Sequence, residues 1–554
     1  MAEWYPEADL VVQHAKIYTV AVACDEIRQG KRDFPIIEDG GVAAKDGKII
    51  AVGKAGDVEC FVGAHTRKID AQGGILLPGF VESHMHCTWT GNNLRNIDFR
   101  PLKKRDEVKA AIRERAAKTD SGLWIEGNSW NELVWDDQRM LTLQELDEVC
   151  PDNPLFCMRT CFHTAMVNSA ALKAAGITRE TPDPDGATIG RDEEGNPNGY
   201  LYENAAMDLV QRVIPPLSAS QRIESIEAVG QYLNSLGITS AIDANLRFEE
   251  MRSFQEAQEE GKLTFRANLM WYLDSSYGDK ETHLRRLDEM VFRTGFGSDM
   301  VKLNGVKVTL DGIPATYTAL MREGYKTRPD YCGSSVWTQD EITAFVCKAT
   351  ELGWQFGIHA IGDAAEDMAL NAIEEANKIR DVRPLRHYLI HYQFPQDDQF
   401  PRIREMGVGI TVQPTLVSTM GEAPQFYEEQ AMRIQSPGLL FRNHITCGGG
   451  SDSPVVPPDP VMGMYYAITR LDETTGSVLS VGDESKATPI EALFMWTKNA
   501  AWFLHDDDKL GSIEVGNLAD MVVFPTDFIA GDIEGYREAK VSMTILGGQV
   551  VYEA

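Results

Sequence analysis

Residues 74–86 read Gly-Ile-Leu-Leu-Pro-Gly-Phe-Val-Glu-Ser-His-Met-His. Ile75–Leu77 is an apolar strand, Pro78-Gly79 a turn, and a His-x-His pair closes the stretch. In extended chain, residues i and i+2 point to the same side, so His84 and His86 can reach one metal ion together. A partly exposed pair at a strand end is the plain alternative, and His-x-His alone does not choose between the two.

The same texture recurs downstream. Gly357-Ile358-His359-Ala360-Ile361-Gly362-Asp363 sets His359 at the carboxy end of a strand, and Leu389-Ile390-His391-Tyr392 sets His391 just after another. Taken singly, a strand-end histidine is more often structural than a ligand. In Cys447-Gly448-Gly449-Gly450-Ser451-Asp452-Ser453-Pro454, three glycines admit a close neighbour and Asp452 stands where the last strand would end. By itself that reads as a turn with an Asx-type cap. Val306-Lys307-Val308-Thr309-Leu310-Asp311-Gly312 embeds a lysine in an apolar strand. Lysine is almost never fully buried unless paired. Pointing into a barrel, Lys307 needs an anion, a deprotonated state or a covalent modification. His, His, Lys, His, His and Asp thus appear in order, each at or near the end of a different strand except the first two. The strand ends of a parallel barrel converge on one face, where catalysis occurs. Four imidazoles and one carboxylate suit zinc or a similar divalent ion.

Strands alternate with helices through the middle of the chain. The expected strands are 74–78, 155–158, 238–242, 301–308, 355–358, 388–390, 409–412 and 444–447. Helices over about 339–352 and 397–406 end at Gly353 and Gly407, the usual carboxy-terminal signal. This predicts an α/β fold, a (β/α)₈ TIM barrel over 75–509. An excursion rich in turn formers is expected near 181–203. Both ends of the chain are β-rich, which predicts one small composite β-sandwich built from 1–74 and 510–554.

The 83 acidic residues outweigh 53 basic ones, a balance of −30. Such a surface repels nucleic acid and anionic lipid. Nine cysteines at irregular spacing argue against a secreted disulfide scaffold and for a reducing compartment. The amino terminus has no signal-peptide pattern, and no stretch has the roughly 20 apolar residues of a membrane helix. The expectation is a cytoplasmic enzyme with a small-molecule substrate and no nucleic-acid or membrane partner.

The motifs together resemble the amidohydrolase superfamily, and more closely amidohydrolase family 3, the branch containing N-substituted formamide deformylases. The resemblance rests on Leu77–His86, His359–Asp363, Gly450–Pro454 and Gly511–Asp520, and on His163 with Val167–Leu172 and Gly199 with Glu203. It implies two divalent ions, zinc foremost, with iron(II) or manganese(II) also suited. His84, His86 and Asp452 would hold the more buried ion, and His359 and His391 the more exposed one. Lys307, carboxylated by CO₂, would bridge them, with Lys302 the competing candidate. Asp452 would serve as general base and then acid, and a homodimer is the group's default. Glu82 departs from the pattern, since many relatives carry Asp there.

His163 is implied as an oxyanion or substrate contact, against a helix-capping role. Glu203 is a second substrate contact, against a solvated turn residue. Trp89, with Trp130, Trp135 and Tyr317, offers an aromatic pocket, although such side chains usually serve the core. Asp363 reads as a helix N-cap and Asp311 as a support for Lys307 or a ligand. Cys157 and Cys161 read as core.

The expected reaction is hydrolysis of a non-peptide C–N bond, amide or formamide in type. Two rivals stand beside it. A mononuclear aminohydrolase would carry Glu three residues after the strand-five histidine, where this chain has Gly362. A non-catalytic metal-binding barrel would be free to lose ligands, whereas all six positions here hold competent residues.

Overall fold

The computed structural model describes residues 5–159, 163–184, 187–419 and 428–554. They form two compact units, one of residues 1–87 with 229–554 and one of residues 88–228.

The first unit contains a TIM-like barrel of eight parallel strands. These are β1 (Phe80–Met85), β2 (Ile238–Leu246), β3 (Arg266–Tyr272), β4 (Val301–Thr309), β5 (Gln355–Ala360), β6 (Tyr388–His391), β7 (Gly409–Val412) and β8 (Cys447–Gly449). They pair in chain order. Most of their residues are buried, the near-continuous apolar pattern of a sheet covered on both faces. The seam between β8 and β1 is laced by polar groups. Ser83 Oγ donates to the Gly449 carbonyl at 2.7 Å, Asp452 N–H to the His84 carbonyl at 2.9 Å, and His86 N–H to the Ser453 carbonyl at 2.8 Å. Glycine is required at 449, where a Cβ would stand 2.6 Å from the Trp496 ring. Helices Gln339–Leu352 and Gln399–Met406 end, as expected, on Gly353 and Gly407 in the left-handed conformation.

Strands from both chain ends share one further sheet, in the order Gln549–Glu553, Met543–Leu546, Met521–Phe524, Ile75–Pro78, Leu10–Tyr18, Ile36–Lys45 and Lys48–Lys54. Ile75–Pro78 was expected to open the barrel, and here it is corrected: it lies antiparallel to Met521–Phe524. The chain turns at Pro78-Gly79, and the next strand begins the barrel. The guanidinium of Arg266, at the start of β3, grips Asp520 at 2.6 and 2.8 Å, with both side chains almost fully buried. Asp520→Ala would leave that cation buried without its partner, so a loss of about 3–5 kcal/mol is expected in urea unfolding. An unchanged midpoint would remove the pair from the stability argument.

Residues 88–228 form the second unit, with its own six-stranded sheet ordered Thr188–Arg191, Pro197–Tyr202, Thr164–Val167, Leu155–Arg159, Ile125–Trp130 and Ile97–Asp98. Two expectations change. Leu155–Met158 belongs to this sheet and not to the barrel. The interruption of the barrel is the whole unit, and the excursion expected near 181–203 contributes the hairpin of Thr188–Arg191 with Pro197–Tyr202 to it. Trp130 and Trp135 are buried in its core with Val108, Ile112 and Leu146, so neither lines an open aromatic pocket.

Candidate metal centre

The carboxy ends of β1, β5, β6 and β8 carry His84, His359, His391 and, just beyond, Asp452. His84 Nε2 lies 3.2 Å and His86 Nε2 3.1 Å from Asp452 Oδ1. The ring centroids of His84 and His391 are 5.4 Å apart, and those of His359 and His391 4.4 Å. One nitrogen each from His84 and His391 and an oxygen of Asp452 lie within 4.8 Å of one another. The resemblance sets His391 with His359, whereas this grouping sets it with His84.

Among the described residues, His84 Nδ1 and His359 Nε2 have no hydrogen-bond partner, and His84 Nε2 makes only its 3.2 Å approach to Asp452 Oδ1. Buried polar atoms are normally satisfied, so these orphaned nitrogens fit a cation. Burial, reinforced by Lys307, holds the His84 imidazole well below its usual pKa. Burial and then His391 do the same for His359, and burial brings His391 to about 4. All three rings are therefore neutral at physiological pH, the form that binds metal. Burial alone would raise the Asp452 carboxyl, but the imidazoles of His84 and His86 outweigh it and hold the group well below the usual carboxylate range. His391 (φ 78°) and Asp452 (φ 57°) both adopt the left-handed conformation, a strain that clusters at functional sites.

Lys307 stands in β4, in register with Tyr272 of β3 and Gly357 of β5. It is buried and forms no ion pair among the described residues. Burial brings its amine down to about 8, against the opposing pull of Asp452 and Asp243. Lys302 is differently placed. At the start of β4, its Nζ donates to the Leu504 carbonyl at 2.6 Å and pairs with Asp506, so its charge is already matched.

Several neighbours were not singled out from the sequence. Asp243, on β2, is buried and its charge acts on Lys307. A carboxylate directly after the apolar run Ile238–Ile242 was the available signal. Gln413, past β7, holds His391 Nδ1 at 2.8 Å, and nothing local marks it. Glu82 is fully buried and pushed up to about 8 by burial. Its Oε1 accepts from the N–H groups of His84 at 3.1 Å and Ser451 at 2.9 Å, joining the first strand to the last. Asp311 accepts from the N–H groups of Leu320, Ile361 and Gly362 at 2.9, 3.0 and 2.8 Å. It therefore supports the loop after His359, whose Nε2 is 3.8 Å away. Asp363 is not an N-cap: it is the first residue of helix Asp363–Ile379, and its carboxylate accepts from Arg322 N–H at 2.7 Å. Burial holds the Cys87 thiol well above its ordinary pKa, a protonated and inert state.

In the second unit, His163 Nδ1 and Glu203 Oε2 are 2.8 Å apart, with both side chains about half exposed. Glu203 N–H also donates to the His163 carbonyl at 2.8 Å. Glu203 stands at the N-cap of helix Asn204–Gln211, but its side chain makes no capping hydrogen bond. Trp89 is half exposed and lines a cavity of about 490 Å³ with Asn92, Arg95, Trp124, Glu126 and Leu217. Cys157 is core, and Cys161 lies outside the described residues. Tyr317 packs under Arg328, 4.0 Å from its ring centroid.

A cavity of about 880 Å³ opens where β6, β7 and β8 begin, away from the strand ends that carry His84, His359 and His391. Its Arg386 is committed to Asp507 and the Trp502 carbonyl, and its Arg28 to Thr446. That end of a barrel ordinarily serves stability.

Comparison with known proteins gives consistent matches. Residues 67–552 match the amidohydrolase family. The chain is 30% identical to YtcJ of Bacillus subtilis (strain 168), provisionally named an amidohydrolase, over 94% of this chain and 98% of that one. It is 26% identical to the N-substituted formamide deformylase of Arthrobacter pascens, over 92% and 94% of the two chains. The solved structure of an uncharacterized metal-dependent hydrolase from Pyrococcus furiosus superposes with a TM-score of 0.74 at 25% identity, covering 94% of this chain and 99% of the other.

Proposed function

The chain belongs to the amidohydrolase family, and from that footing we propose that it is a metal-dependent hydrolase cleaving a non-peptide C–N bond, amide or formamide in type, in a small molecule. The observation that carries this reading is the buried gathering of His84, His86, His359 and His391 around Asp452, with ring nitrogens left unsatisfied among the described residues, at the carboxy ends of the barrel strands. His84, His86, His359, His391 and Asp452 would hold two divalent ions, zinc foremost, or iron(II) or manganese(II). Such ions, when bound, lower the pKa of a water and polarise the bond to be cut.

With its amine brought down to about 8, Lys307 has an unprotonated fraction at neutral pH that would add to CO₂, forming an N–C bond and releasing one proton. The resulting carbamate would be an anion able to serve as a ligand to the ions. Asp452 takes the proton of the attacking water and returns it to the leaving nitrogen, the ordinary base-then-acid sequence. Glu82 and Asp311 hold the ligand-bearing loops. His163, Glu203 and Trp89 are proposed substrate contacts of the second unit. The terminal sheet is read as a composite β-sandwich, because Leu10 and Val12 pack into one apolar cluster and Val11 into another. The described cysteines are free thiols, which supports a reducing compartment and a cytoplasmic enzyme. Among the described residues, no helix is long and apolar enough to cross a membrane.

A second reading, with a single ion on His84, His391 and Asp452, is favoured by the placement of those three ligand atoms within 4.8 Å of one another. Metal analysis of the purified chain, paired with assays on N-formyl amines, N-acyl amines and cyclic amides, tests both. The expected result is about two ions per chain, with hydrolysis abolished by chelation and restored by metal. One ion would select the second reading. No metal after reconstitution would overturn the hydrolase mechanism in favour of a binding barrel.

A further inference from the structure

A line of buried polar groups runs from His391 away from the centre. His391 Nδ1 meets Gln413 Oε1 at 2.8 Å. A carbonyl oxygen can only accept, so this contact keeps the proton on Nδ1 and leaves the lone pair of Nε2 for an ion. The backbone N–H of Gln413 donates in turn to Oε1 of Gln435. Gln435 N–H donates to the Gln393 carbonyl at 3.1 Å, two residues beyond His391. The carbonyl of Gln435 accepts from Arg470 Nη1 at 2.8 Å. Arg470 also donates to the carbonyls of Ile434 and, at 3.0 Å, Leu479.

Gln413, Gln435 and Arg470 are each 0% exposed. Arg470 forms no ion pair among the described residues. Burial brings its pKa to about 9, so it remains a cation at neutral pH. A buried cation without an anion is costly, and this one spends its donors on three backbone carbonyls. Among the described residues, the amide nitrogens of Gln413 and Gln435 find no acceptor, a further desolvation cost. Stability alone does not account for so expensive an arrangement beside β7. Orientation of a ligand does.

We propose that Gln413 is a positioning residue for the metal centre, setting the tautomer and ring orientation of His391, and that Arg470 holds Gln413 in place through Gln435. The inference rests on the metal-hydrolase reading. It goes beyond that reading by assigning a role to three residues outside the ligand set.

The test is zinc titration of the metal-free protein against a competing chelator. Gln413→Leu is expected to weaken binding by about 10–100-fold while the metal-free melting curve stays cooperative. Gln413→Glu keeps an acceptor at the same reach and is expected to restore wild-type affinity or exceed it. Gln435→Leu and Arg470→Met should weaken binding in the same direction by a smaller factor. Should Arg470→Met fail to fold, Gln435→Leu carries the outer half of the test. Wild-type affinity in Gln413→Leu, or equal loss in Gln413→Leu and Gln413→Glu, overturns the proposal while leaving the metal-hydrolase reading intact. A wild-type chain that takes up no zinc overturns both.

Discussion

Lys307→Ala is expected to lose at least half of the bound metal and to lower kcat/KM by about 10³-fold or more. That factor is the equivalent of several kcal/mol of lost charge stabilisation. Lys307 is buried with no anionic partner among the described residues, and its amine is brought down to about 8 by burial. An unpaired buried amine does not stabilise a fold. The metal-free variant should therefore melt at the wild-type temperature or above it. That separation is the strength of the experiment: metal is lost while the fold is kept. A variant retaining full metal content would show that Lys307 bridges nothing, and the centre would be redrawn around one ion. Lys302→Ala serves as the contrast. It breaks a matched pair with Asp506 and should cost stability with metal content unchanged.

Asp452→Asn is the second large effect. The side chain keeps its shape but cannot take up a proton, so kcat is expected to fall by about 10²–10⁴-fold, the usual contribution of a positioned acid–base group. His84 and His86, now 3.2 and 3.1 Å from Asp452 Oδ1, would face a neutral amide, and metal affinity should fall as well. Single-turnover kinetics at saturating metal separate the two losses. A kcat within tenfold of wild type under those conditions would remove Asp452 from proton transfer and leave it as a ligand alone.

Much of the centre was legible because its signals are local. A histidine or aspartate directly after an apolar strand is visible in a few residues, and so is Lys307 inside Val306–Thr309. The supporting residues were not legible, because their partners are distant in the chain. Gln413 reaches back to His391, and Asp311 catches the N–H groups of Ile361 and Gly362. β3 was missed for a different reason. Its sequence Arg-Ala-Asn-Leu-Met-Trp-Tyr begins with polar residues that look exposed. Arg266 and Asn268 are nonetheless buried, the first paired with Asp520.

By itself, the sequence determined the strand-end residues, their order and their chemistry, since side-chain period and residue type are properties of a short segment. Only the tertiary structure decided which sheet each apolar run joins. Ile75–Pro78 pairs with Met521–Phe524, and Leu155–Arg159 lies in the second unit. An apolar strand looks the same whichever sheet covers it, and its neighbour is chosen by contacts hundreds of residues away. The same holds for the two lysines of β4: Lys307 and its competing candidate Lys302 were told apart by the position of Asp506, over 200 residues distant, which pairs with Lys302, while Lys307 forms no ion pair among the described residues.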